Sequence, residues 1–257
     1  MRHFFYLILI LLVSWGMQAC DTSKKQVQNT KKQKTEKKKK NAFVTLNQQN
    51  AEVFLREYAK EHPETKAIIK TSMGNIKVKL YEDTPLHRAN FIRLAKMKFY
   101  DNTLFYRIIK GFMIQGGGSD DLSRGPLTRK VGKYKIPAEI NTEKYFHKRG
   151  ALAMSRDYKN NPEKLSASFD FYLVQGTRLN PQELLGLQQE NNIRFSTSQT
   201  QAYTTLGGAA HLDEEHTVFG EVIEGLEVID KIAAVKVGEG DWPLENVIIQ
   251  EVRVLSE

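Results

Sequence analysis

Cysteine is almost absent: Cys20 is the only one in 257 residues. One thiol excludes an internal disulfide framework. Long apolar runs are missing as well. The one sustained run, Phe4 to Val13, falls short of the roughly 20 residues that cross a bilayer core, and Trp15 and Met17 leave it marginal. No internal repeat is present. A basic excess is also missing from most of the chain, although the formal charge is +8, from 38 basic and 30 acidic residues. Residues 1–20 hold only Arg2, and residues 21–40 hold nine lysines against Asp21 and Glu36. The remaining 217 residues carry 28 basic and 28 acidic side chains. The folded part therefore has no field to hold a phosphate backbone, and nucleic acid is excluded as a partner. With 40% hydrophobic and 26% charged residues, the chain is neither a collagen, a coiled coil nor wholly disordered.

What is present begins at the N-terminus. Met1-Arg2-His3, the apolar run, and then small or polar residues match a secretory signal peptide. The stretch ends Met17-Gln18-Ala19-Cys20, and a cysteine placed there resembles a bacterial lipoprotein signal. The resemblance implies a lipid on Cys20 and a place in the bacterial cell envelope, facing the periplasm or the exterior. It departs at Met17, where leucine is preferred, and at Gln18, where a small residue is. An uncleaved anchor or a soluble secreted protein with a spare thiol is the alternative. Residues 21–40 contain one aliphatic residue, Val27, and read as a self-repelling extended linker. Beside a lipid its lysines gain order 1 kcal/mol each near anionic headgroups. Nuclear localisation conflicts with the signal peptide. The expected organisation is a signal peptide over 1–19, lipidated Cys20 and linker over 20–45, and a helical extension over 46–66. A domain over 67–257 follows, with an insertion over 178–205.

Asn50 to Lys60 reads as a short amphipathic helix ended near His62-Pro63. Ala67–Thr71 and Ile76–Tyr81 read as strands, joined by Ser72-Met73-Gly74-Asn75 into a hairpin. Thr84 before Pro85 supplies an N-cap and a first-turn proline for a helix to about Met97. Leu86, Asn90, Leu94 and Met97 share one face of it. Further strands are read at Leu104–Ile109, Ala151–Ser155, Phe169–Val174, Thr217–Val222 and Val247–Leu255, with a helix near Leu226–Ala234. Many short strands and few helices predict a mainly β chain, a closed barrel or sandwich.

The informative stretch is Phe105-Tyr106-Arg107-Ile108-Ile109-Lys110-Gly111-Phe112-Met113-Ile114-Gln115-Gly116-Gly117-Gly118. An arginine inside an apolar strand needs a reason, because its five donors stay charged. Taken alone, the pattern fits equally a structural salt bridge on a barrel wall with Phe112 and Met113 as core. It closely resembles the signature of the cyclophilin-type peptidyl-prolyl isomerases, and other segments agree in order. These are Thr84 to Phe91 with Phe99-Tyr100-Asp101, Gly150 to Arg156, Phe171-Tyr172-Leu173, and His211-Leu212-Asp213 through His216-Thr217-Val218-Phe219-Gly220. The similarity runs from about Ala67 to Val254.

The resemblance implies a cyclophilin-like closed antiparallel eight-stranded barrel capped by two helices, here with an extra N-terminal helix and a helical insertion. It assigns Arg107 as the catalytic arginine and Gln115 as the glutamine that orients arginine and substrate. Phe112, Met113, Tyr172 and Leu212 match the floor and walls of a proline pocket. Ser155 and Arg156 match the pair whose backbone binds peptide, and His211 and His216 the pocket's tryptophan and histidine. Substrates would be proline-containing unfolded or flexible polypeptides. No cofactor or metal is required, and a monomer is expected.

The chemistry suits these residues. An X-Pro amide resists rotation by roughly 18–20 kcal/mol because the nitrogen lone pair is shared with the carbonyl. A guanidinium that donates to the nitrogen as it pyramidalises stabilises the transition state above either ground state. Lysine, a flexible and strongly hydrated point charge, suits this less well. The departures from the family concern the edge of the site. Asp170 stands where the family has glutamine, on the face of Tyr172, where it could pair with Arg107 or compete with substrate. Tyr172 adds a hydroxyl to the pocket wall. Tyr106 and His211 fall where substitution is expected to be tolerated, although His211 should weaken drugs that rely on the tryptophan.

Between Val174 and His211 the chain exceeds a minimal cyclophilin. Asn180-Pro181-Gln182-Glu183 predicts a capped helix to about Glu190, and Ser196 with Gln199 a second one over 197–204. This insertion either narrows the substrate range or is a surface hairpin. His211 to His216 has one residue too many for an inverted zinc-protease pattern. Gly116-Gly117-Gly118-Ser119 lacks the lysine of a phosphate loop and reads as a turn. Two functions follow: an envelope prolyl isomerase, or a non-catalytic peptide-binding chaperone or scaffold with Arg107 locked by Asp170.

Overall fold

The computed structural model describes residues 44–118 and 121–256, so the signal peptide, Cys20 and nearly all of the lysine-rich linker lie outside it. Eight strands close into an antiparallel barrel: β2 (Lys66–Thr71), β3 (Gly74–Leu80), β4 (Thr103–Ile109), β5 (Met113–Gly118), β7 (Ala151–Met154), β8 (Phe171–Val174), β9 (Val218–Glu224) and β10 (Val247–Leu255). Their order around the barrel is β10-β2-β3-β9-β7-β8-β5-β4. A two-residue strand β1 (Leu46–Asn47) pairs in parallel with β6 (Gly132–Lys133) outside it.

Alternation along the strands sends one set of side chains inward. Ile69, Val78, Phe105, Ile114, Leu152, Leu173, Phe219 and Val252 form the interior with Phe91 and Leu94 of α2 (Pro85–Lys96) and Ile229 and Ile232 of α6 (Leu226–Ala233). These two helices cap the barrel. Helix α1 (Ala51–Glu61) buries Ala51, Leu55, Tyr58 and Ala59, one stripe at helical spacing. Arg93, buried in α2, binds the extension by donating to the Val44 carbonyl at 2.6 Å. A short helix α3 (Gly125–Val131) precedes β6.

Three local expectations are corrected. Thr84 does not cap α2 with its side chain; Glu139 instead accepts from the Leu86 and His87 amides at 3.0 Å each. Gly116-Gly117-Gly118 is not a turn but the end of strand β5. A glycine is required there by the neighbouring backbone, since a Cβ on Gly117 (φ +101°) would lie 2.3 Å from the Phe169 carbonyl oxygen. Ser155 lies just beyond the end of β7.

The insertion forms α4 (Pro181–Asn191) and α5 (Thr197–Thr205), each opened by a capping box, Asn180 with Glu183 and Ser196 with Gln199. Its Leu184 and Tyr203 pack with Ala210 and Phe146 in a small apolar cluster of their own, while Met113, Ala153, Tyr172, Val174, Leu212 and Val218 form another.

Candidate active site

The ladder places the key residues in one row. Arg107 of β4 pairs with Gln115 of β5, Gln115 pairs with Tyr172 of β8, and Tyr172 pairs with Ala153 of β7. A cleft of about 320 Å³ opens over this row. Arg107, Phe112, Met113, Gln115, Ser155, Tyr172, His211, Leu212 and His216 line it, together with Tyr158, which sequence reasoning missed.

Its floor is apolar: Met113, Tyr172 and Leu212 are buried, and the His211 ring packs on Phe112 at 5.0 Å between centroids. Desolvation lowers the His211 pKa and brings His216 down to about 4, so both rings are neutral at pH 7. His216 is held by the Met154 carbonyl at 3.1 Å and the Tyr158 hydroxyl at 2.7 Å. Its two nitrogens are thereby occupied, and its ring meets Tyr172 edge-on.

Arg107 is 44% exposed at the cleft rim, and its Nε donates to Asp241 Oδ2 at 3.2 Å. Asp241 sits at φ +62° in the 3-10 turn Glu239–Asp241. Only one of the five guanidinium donors is taken by this bond. Of the two roles open to Asp170, pairing with Arg107 does not occur. Between Phe105 and Arg107 the register shifts, so Tyr106 is an extra residue in a β-bulge. Its hydroxyl donates to Asp170 Oδ1 at 2.9 Å and accepts from Gln115 Nε2 at 2.7 Å. Asp170 thus holds Gln115 through Tyr106 and does not line the cleft. Burial raises its pKa to about 6, against the opposing pull of the Tyr106 hydrogen bond.

Arg156 also lies outside the lining. Its guanidinium binds the Glu215 carboxylate and, through Nε, the Glu215 carbonyl at 2.6 Å, while stacking on the Tyr158 ring at 4.2 Å. It braces the wall rather than facing the groove. The Ser155 amide donates to the Asp170 carbonyl and its carbonyl accepts from Ala167, leaving that oxygen's second lone pair. Ser155 Oγ is buried without a hydrogen-bond partner.

A family model, "Cyclophilin type peptidyl-prolyl cis-trans isomerase/CLD", matches residues 66–254. The chain belongs to this family. Among its relatives, a putative peptidyl-prolyl cis-trans isomerase of Staphylococcus aureus is 32% identical over 192 residues, covering 74% of this chain and 92% of that protein. A putative bifunctional phosphatase/peptidyl-prolyl cis-trans isomerase of Streptococcus pyogenes is 35% identical over 198 residues, and the match spans 76% of this chain but 40% of that larger protein. The fold is shared with a Cryptosporidium parvum cyclophilin-type isomerase crystallised in the presence of the dipeptide Ala-Pro. That likeness has a TM-score of 0.53 and 23% identity and covers 75% of this chain and 99% of the other.

Two features of this cyclophilin were illegible beforehand. Tyr106 is read from sequence as a tolerated substitution, yet it links Gln115 to Asp170. Asp241, 134 positions beyond Arg107, comes to it only through folding. A tyrosine beside the arginine and an aspartate in the family's glutamine position were the only sequence signals for the first; none existed for the second.

Proposed function

We propose that this cyclophilin accelerates X-Pro rotation in proteins folding in the bacterial cell envelope, where it is held by a lipid on Cys20. The observation that carries the catalytic part is the row of Arg107, Gln115 and Tyr172 above an apolar cleft. A proline ring seated on Phe112, Met113 and Leu212 is held still while its acyl side turns. Arg107, restrained at Nε by Asp241, donates from a terminal nitrogen to the prolyl nitrogen as that atom pyramidalises. Gln115 Nε2 is committed to Tyr106, so its carbonyl oxygen is turned to accept from the peptide or from Arg107. The main chain of Ser155 and Arg156, the pair that matches the family's peptide-binding segment, suits the peptide beyond the ring.

The reading of a non-catalytic chaperone rested on Arg107 being locked by Asp170, and that contact is absent. An anchor at the membrane follows from the N-terminal pattern, and among the described residues no helix is long and apolar enough to cross a membrane.

The test is cis/trans exchange of a short Ala-Pro peptide by NMR, with the wild type and Arg107→Ala. Acceleration by the wild type and a loss of about 10²-fold or more in the variant is expected, the scale for removing a principal transition-state donor. A folded wild type without acceleration would overturn the catalytic proposal.

A further inference from the structure

The insertion reaches the cleft through a buried chain of hydrogen bonds. Tyr203, on the insertion's second helix α5, is fully buried, and its hydroxyl donates to Asp213 Oδ2 at 2.6 Å. The other carboxylate oxygen of Asp213 lies 2.9 Å from both the main-chain nitrogen and Nδ1 of His147. Across the ring, His147 Nε2 lies 2.9 Å from the hydroxyl of Tyr172, which lines the cleft. All four side chains are buried.

The polarity of this chain follows from its ends. Burial raises the phenol pKa of both Tyr172 and Tyr203 above the ordinary tyrosine value, so each keeps its proton. Tyr203 and the His147 amide both donate to Asp213, and His147 Nδ1–H supplies the third donor. Nε2 is then a bare acceptor, and the Tyr172 hydroxyl donates to it. The consequence concerns the departure of Tyr172 from the family's phenylalanine. Its hydroxyl is drawn away from the groove and consumed, so the ring presents hydrocarbon to the substrate proline. Asp213 also closes the 3-10 turn Ala210–Leu212, whose His211 and Leu212 line the same cleft. One carboxylate therefore holds two parts of the pocket lining.

We infer that Tyr203 of the insertion is a positioning residue for the proline pocket, acting through Asp213 and His147 on Tyr172. The insertion is thus part of the binding machinery and not a surface hairpin. Without Tyr203 one buried carboxylate oxygen loses its donor. Asp213 then shifts toward another partner, and both His147 and the Leu212 turn follow.

This inference rests on the cleft being the proline site, and the experiment separates the two. The dissociation constant of an Ala-Pro peptide is measured by chemical-shift titration for wild type, Tyr203→Phe, Tyr172→Phe and the double variant. Tyr203→Phe is expected to weaken binding roughly 3- to 10-fold, within the range of couplings in one hydrogen-bonded network. In the Tyr172→Phe background the added loss should be clearly smaller, because the branch through His147 has no hydroxyl left to restrain and only the Leu212 turn still responds. Equal losses in both backgrounds, or unchanged binding by folded Tyr203→Phe, would overturn the inference while leaving the cleft's function intact. No peptide binding by the wild type would overturn the functional reading itself. A second measurement needs no variant: the nitrogen shifts of His147 should show the proton on Nδ1. A proton on Nε2 alone would refute the chain's polarity even if Tyr203→Phe failed to fold.

Discussion

Replacing Asp170 by asparagine should stabilise this protein at neutral pH, by an amount that vanishes in acid. The side chain keeps its size and an oxygen to accept from the Tyr106 hydroxyl. What it loses is a charge in a poorly solvated place. The carboxyl titrates near 6 in the folded protein against an ordinary 3.8. Between those values the folded state binds a proton that the unfolded state has released, so stability falls as pH rises. Above pH 6 the full penalty is present: about two pH units at ~1.4 kcal/mol each, hence at most about 3 kcal/mol. The wild-type curve conceals this, because His216 works in the opposite direction over nearly the same range. Its folded pKa of about 4 lies below the ordinary 6.5, so the unfolded state binds the extra proton and stability rises with pH between the two values. Only the difference between variant and wild type isolates Asp170. Urea denaturation at pH 4.0, 5.0, 6.0 and 7.5 should give a difference of only about 0.5 kcal/mol at the first and about 2–3 kcal/mol in favour of Asp170→Asn at the last. An asparagine variant less stable at pH 7.5, or a gain independent of pH, would refute the argument. The charged hydrogen bond from Tyr106 would then outweigh the burial cost.

The same ionisation should reach activity through Gln115. The pH profile of Ala-Pro exchange should inflect near 6 in the wild type, and Asp170→Asn should remove that inflection. Asp241→Ala frees Arg107 at Nε and should lower exchange several-fold. Stability should change by no more than about 1 kcal/mol, because both partners are over 40% exposed; urea melts beside the exchange assay check both. Cys20→Ser should move the full chain from the membrane fraction to the soluble fraction of a bacterial host. Retention of the variant on membranes would refute a lipid anchor at that residue.

Features encoded by neighbouring residues were readable before folding. The helices of the insertion follow from Asn180 with Glu183 and Ser196 with Gln199, because a capping box closes within one turn. The hairpin at Ser72 to Asn75 and the stripe of α1 are equally local. The ordered motifs from Thr84 to Gly220 named the family, and with it the barrel and nine of the cleft's residues. Strand β5 was not read from pattern, since three successive glycines look like a turn until the Phe169 backbone is seen pressing on Gly117.

Tertiary structure decided how those residues are held. The sequence, through its resemblance to the family, assigned Arg107 and Gln115 to one site, and by itself it determined that the chain had an insertion. It did not determine that a bulge would turn Tyr106 between Gln115 and Asp170. Nor did it determine that Asp241 would restrain the arginine, or that Tyr203 would reach Tyr172 through Asp213 and His147. The physical reason is range. Capping, turn formation and strand alternation act over two to four residues and leave a trace in the spelling of the chain. A hydrogen bond between side chains far apart in sequence depends on where the barrel's closure brings their backbones, and leaves none.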